Sequence, residues 1–238
     1  SIVLTLAIET ATKVCSAALC RDGEIIAAYD VNTGMTHSEG LLPQLEQLLQ
    51  RTGVQKNEID LLAVSMGPGS FTGLRIGLAT AEAMAYSWQC CLHGVDTLEG
   101  LAYNIQLEGM VLSPVLDAQK GNYYQALFQW QDGKLEKLAD TEVVNKERLL
   151  ERIAVFGTPA LLLGECSKLK QEEVPQWLKI APQNLRMPKA ASVALAALEG
   201  FDPQTDKKIF GLEPYYIRRS EAEELWEKRQ KELSASEK

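Results

Sequence analysis

The opening of this chain occurs twice, and that repetition constrains the fold more than any other feature. "IVLTLAIE" (residues 2–9) is an apolar run of strand length ending on Glu9, followed by "VCSAALC", an Asp22-Gly23 turn and "EIIAAYDV". Asp-Gly between β-prone runs marks a hairpin, because both turn positions call for residues that tolerate positive φ. "VLSPVLDA" (111–118) again carries an acid at its end, Asp117, and leads into "NYYQALFQW", Asp132-Gly133 and "KLEKLADTEVV". Glu9 precedes its turn by 13 positions (9 to 22), and Asp117 precedes its own by 15 (117 to 132). Self-similarity of this kind marks a repeated architecture. The expectation is two lobes, residues 1–103 and 104–218, each built on a three-strand antiparallel meander, with a charged tail at 219–238.

Between the repeats, Leu41, Leu42, Leu45, Leu48 and Leu49 recur at helical spacing from Ser38 to Arg51, and Gly53 stands where a helix C-cap residue belongs. A buried-type strand at 61–66, a glycine-rich turn, a helix over 71–88 and a short strand at 91–95 complete the first lobe. The second lobe has a helix at 146–153, the strand "ALLLGEC", a proline-interrupted connection from Val174 to Pro188, and an Ala-rich helix at 189–198. Meander followed by crossover gives a mixed α/β fold of two βββαβα lobes. In the tail, Glu224 with Lys228 and Glu227 with Lys231 are four-residue pairs in the favourable order, so the tail is expected to be a solvated helix without chemistry.

The net charge of -8 and pI near 5.0 argue against a chain that holds nucleic acid by itself, since phosphate neutralisation needs clustered Lys and Arg. Any RNA role requires a basic partner. No apolar run reaches the roughly 20 residues of a membrane span, and "SIVLTLAIET" lacks the cationic lead and cleavage site of a signal peptide. A cytoplasmic location is therefore expected. The five cysteines show no C-x-x-C spacing and read as reduced, mostly buried residues.

Duplicated lobes that each open on a strand ending in an acid resemble the actin, Hsp70 and sugar-kinase superfamily, of RNase H-like fold, in which ATP lies between the lobes. Its nucleotide elements are degraded here. "GPGSFTGLR" lacks the lysine and hydroxyl of a Walker loop, although a helix N-terminus with Ser70 or Thr72 as cap could still hold an anion. "ETATKVCS" has no glycine after its acid, and "DAQKGNYY" offers Gly121 only four residues on. "LLLGEC" places Glu165 where the ATP-using relatives carry a second glycine. No cofactor is expected. His37 and His93 lie far apart without an i,i+4 partner, so no metal site is expected either, and nothing marks a catalytic nucleophile with its base.

In a helix, Gly69, Gly73, Gly77, Ala81 and Ala85 fall on one ridge. Interior glycines cost about 0.8–1 kcal/mol each relative to alanine, so something must press closely on this face. The helix's own sheet could do so. Leu74, Ile76, Leu78, Met84 and Tyr86, however, supply a bulky flank suited to the internal core, which leaves the small ridge for a helix of another subunit, by analogy with small-residue stripes in membranes.

"LAIETATKVCSAAL", "HSEGLLPQLEQLL", "DLLAVSMGPGSFTGLRIGLATAEAMA", "GVDTLEGLA" and "PYYIRRSEAEE" together resemble the bacterial TsaB (YeaZ) family, over Leu6 to about Glu224. Members are paralogues of the transferase TsaD, and they work with it and the ATPase TsaE to place threonylcarbamoyl on the tRNA adenosine beside the anticodon. The resemblance implies a non-catalytic scaffold that touches tRNA only through the complex. It also implies an interface with TsaD, or with a second copy, at Gly69, Ser70, Phe71, Thr72, Gly73, Arg75, Gly77 and Ala81. Two departures from the family pattern are Glu9 in place of Asp, and Gln119-Lys120 where basic pairs are common. The rival expectation is a stand-alone ATP-dependent kinase or ATPase of the same superfamily. A protease reading would need His37 or His93.

Overall fold

A computed structural model describes residues 2–32, 34, 37–157, 159–203 and 228–236. The first half of the chain forms β1 (Leu4–Glu9), β2 (Cys15–Arg21), β3 (Glu24–Val31), α1 (His37–Thr52), β4 (Leu61–Ser65), α2 (Phe71–Trp88), β5 (Cys91–Val95) and α3 (Thr97–Ala102). The second half forms β6 (Val111–Asp117), β7 (Tyr123–Gln131), β8 (Lys134–Val144), α4 (Lys146–Ala154), β9 (Ala160–Gly164), β10 (Leu178–Ile180), α5 (Gln183–Arg186) and α6 (Ala190–Leu198).

The two five-stranded sheets share one topology, β3-β2-β1-β4-β5 and β8-β7-β6-β9-β10. In each, the meander pairs antiparallel and the last two strands run parallel to the first. The expected duplication is present strand for strand. Every residue of β1 and of β4 is buried, because helices cover both faces of the first sheet, and buried parallel strands have no polar face to alternate.

Three elements are absent from the sequence expectation. β10 and α5 lie inside the connection expected to be irregular; the three residues of β10, between Pro175 and Pro182, are too few to show a period, and α5 is a single turn of four residues. α3 is only six residues long and is set by Asp96, whose carboxylate accepts from Leu98 N at 2.9 Å and Glu99 N at 3.0 Å.

The lobes exchange helices. α1 and α2 cover one face of the first sheet, while the other face, with Ala7, Ala18, Leu61 and Ala63, is covered by Ala190, Val193, Ala194 and Ala197 of α6. Conversely Leu98, Leu101 and Ala102 of α3 pack with Leu112, Leu116, Tyr124 and Phe128 of the second sheet. A division at 103/104 separates the two sheets but leaves one helix of each core on the other side. Residues 228–235 are helical, and Gln230 Nε2 donates to the Tyr124 hydroxyl at 3.0 Å while Leu233 packs on the second core. This part of the tail is docked rather than wholly solvated. Glu224, Glu227 and the "PYYIRRSEAEE" motif lie outside the described residues.

Candidate subunit interface and the interlobe cleft

The glycine turn delivers α2 onto the first sheet. Gly69 takes φ +155, a conformation that side chains avoid, and a Cβ there would stand 2.5 Å from the Ala11 carbonyl oxygen. Ser70 N donates to that oxygen at 2.6 Å, and Ser70 Oγ caps α2 by accepting from Gly73 N at 3.3 Å. Thr10 Oγ1 donates to the Gly73 carbonyl at 2.7 Å. The segment after β1 is thus strapped directly over the first turns of α2.

That contact corrects the expected use of the ridge. A Cβ on Gly73 would run into the Thr10 carbonyl oxygen, and one on Gly77 into Thr10 Oγ1. Gly73 is buried against Thr10 and His37, and Gly77, Ala81 and Ala85 are buried against the side of the protein's own first sheet that carries Ile8 and Val64. What presses on the small ridge is the chain itself, and the hydrogen bonds formed there offset the poor helix propensity of glycine. Of the residues expected at an interface, Gly73, Gly77 and Ala81 face inward and Gly69 is half-buried, whereas Ser70, Phe71, Thr72 and Arg75 are exposed.

The outward stripe of α2 runs through Thr72, Arg75, Ala79, Ala83 and Tyr86, all exposed, with Ile76, Thr80 and Met84 half-buried beside it. Phe71 is 37% exposed and carries the Arg75 guanidinium 5.3 Å above its ring, while Tyr86 is 65% exposed. Tyr86 therefore belongs to the surface and not to the internal flank assigned to it from sequence. α1 packs beside α2 and exposes Leu42. Ala79, Ala83 and Tyr86 were missed because two stripes of small residues lie on α2; periodicity finds both and does not say which one the sheet covers.

Two acids, Asp117 and Glu165, line the cleft between the lobes, and a third, Glu9, ends β1. Glu9 is buried, with its Oε1 accepting from Ala11 N and from Ser65 Oγ, each at 2.8 Å; burial pushes its carboxyl up to about 7, against these two bonds. Glu165 accepts from Asp117 N at 3.2 Å, and burial raises its pKa, with the Asp117 charge reinforcing the rise and Lys13 opposing it. Asp117 pairs with Lys168 at 3.7 Å. His37 Nε2 lies 2.6 Å from the Thr12 carbonyl, and His93 stacks edge-on against Phe201, so each histidine is engaged in a separate tertiary contact. Among the described residues no three His, Cys, Asp or Glu side chains are grouped to hold a metal.

With this geometry in view, comparison with known proteins is specific. A tRNA threonylcarbamoyladenosine biosynthesis protein TsaB of Bacillus subtilis is 30% identical over 95% of this chain and 99% of its own length. The chain belongs to the TsaB family. An Escherichia coli TsaB is 34% identical over 61% of this chain and 63% of its own. The family model described as TsaD, tRNA N6-adenosine threonylcarbamoyltransferase, matches residues 32–226, which places TsaB and the transferase in one group. Among solved structures, YeaZ from Pseudomonas aeruginosa superposes with a TM-score of 0.68 at 27% identity, over 84% of this chain and 91% of that one. The activator of the 2-hydroxyisocaproyl-CoA dehydratase from Clostridium difficile, with bound ADPNP, aligns at a TM-score of 0.53 and 11% identity, over 87% of this chain and 98% of that one, and shares the actin-like fold. No helix among the described residues is long and apolar enough to cross a membrane.

Proposed function

We propose that this TsaB-family chain is an accessory subunit of tRNA threonylcarbamoyladenosine biosynthesis that docks a TsaD-type transferase through the outer face of α2, with α1 beside it, and has no catalytic activity of its own. The observation that carries the reading is the outward stripe: alanines at 79 and 83 allow a helix to approach closely, and Phe71, Arg75 and Tyr86 supply anchors of the kind that dominate interfaces. The same face could join two copies of this chain in the absence of the transferase. A TsaE-type ATPase and tRNA enter through the complex, in keeping with the acidic net charge of -8, and the location proposed is cytoplasmic.

Light scattering of the chain mixed with its TsaD-type partner, repeated with Tyr86→Glu, tests the surface. The expected result is a heterodimer that dissociates at least about tenfold more readily in the variant. Undiminished association would reject this face. Reconstituted tRNA modification, which should stop when the chain is left out and resume on its return, separates a required partner from an independent enzyme.

A further inference from the structure

The interlobe cleft contains a cavity of about 200 Å³ whose charges do not cancel. It is lined from the first lobe by Thr12, Lys13 and Val14, and from the second by Asp117, Tyr123, Glu165, Lys168 and Arg186, with Met187 and Pro188 closing one wall. Three cations thus face two carboxylates. Lys168 is taken up by Asp117, and the Glu165 carboxylate receives a backbone N–H. Lys13 and Arg186 form no ion pair with a carboxylate among the described residues. Arg186 is half-buried and lines the cavity together with Cys166, where its positive charge works against the rise that burial imposes on the thiol's pKa. A half-buried guanidinium keeps most of its five donors for a partner, and its planar fork matches an oxyanion.

We propose that this cavity binds a small oxyanion, a carboxylate or a phosphate, between Arg186 and Lys13. The three cations and two carboxylates of the lining leave a net positive charge for it to balance. Apolar walls from Val14, Tyr123 and Pro188 lower the local dielectric and strengthen that pairing. In a chain of net charge -8, a locally positive cleft also concentrates anions against the overall field.

Isothermal titration of the full chain with sodium phosphate and, separately, sodium lactate, at ionic strength held constant with chloride, tests the site. One saturable site for one of the two is expected, which also names the source. Arg186→Gln and Lys13→Gln should each weaken it by about tenfold or more, as for loss of a charge-assisted hydrogen bond. Circular dichroism checks that both variants fold; should Arg186→Gln fail, Lys13→Gln, at an exposed position, decides alone. Absence of saturable heat from either anion would overturn the proposal. So would undiminished binding by the folded variants, or ATP binding more tightly than both anions. The partner's association does not enter this measurement, so failure here leaves the subunit reading untouched.

Discussion

At the scale of single residues, Gly73 and Glu9 show how closely the first strand and α2 are coupled. Gly73→Ala would improve intrinsic helix propensity by about 0.8–1 kcal/mol at a free position. Here the new methyl group meets the Thr10 carbonyl, backbone that cannot swing aside, so overpacking prevails and a net loss of about 1–3 kcal/mol is expected in denaturant unfolding. A stabilised variant would show that the strap over α2 is loose. Glu9 makes a pH-dependent contribution of known sign. Its folded pKa, about 7, exceeds the ordinary 4.5, so the native state binds the proton more tightly than the unfolded chain. Stability from this group is full below the unfolded value and is lost as pH rises through about 7, by about 3 kcal/mol in all. Glu9→Gln should remove that slope between pH 5 and 8, measured as the difference in unfolding free energy between variant and parent; parallel profiles would refute the assignment.

At the scale of elements, α2 was legible in extent but not in orientation. The glycines, the Ser70 cap and the apolar period located its start and end at Phe71 and Trp88, as observed. The sequence also required a close neighbour for Gly73 and Gly77. It could not say whether that neighbour was another subunit or Thr10, sixty-three residues earlier than Gly73, because a contact of that separation leaves no local periodicity. The two stripes make opposite predictions. Ala83→Arg, on the exposed stripe, should change stability by no more than about 0.5 kcal/mol while weakening association with the TsaD-type partner. Gly77→Ala should do the reverse, since its Cβ would enter the space of Thr10 Oγ1. Thermal unfolding and light scattering on both variants separate the faces, and a matched loss of stability in both would show that the division into inner and outer stripes is wrong. The hairpins were legible for a different reason: Asp22-Gly23 and Asp132-Gly133 impose their geometry locally, with both residues of each pair at positive φ.

At the scale of the whole molecule, the exchange of α3 and α6 makes the two repeats interdependent, and Asn104 joins the chain segments that pass between them. Its Nδ2 donates to the carbonyls of Leu185 and Met187, each at 2.8 Å, and its Oδ1 accepts from Ser192 Oγ at 2.6 Å. The first crossing is thereby tied to the second just before α6, whose own first amide, at Ala190, donates to Ser16 Oγ on the first sheet at 2.8 Å. Asn104→Asp keeps the volume but turns an oxygen toward two carbonyl oxygens, so both donors are lost and a negative charge is set against them. Leaving partly buried acceptors unpaired costs about 1–3 kcal/mol, and more where charge is involved. The expected result is a fall in the denaturant midpoint at pH 7 that is larger than for Asn104→Ala, which removes the donors without adding repulsion. Protonation of the new carboxyl should restore part of the loss toward pH 4. Equal stability of the two variants at pH 7 would mean that this side chain bridges the crossings without holding them.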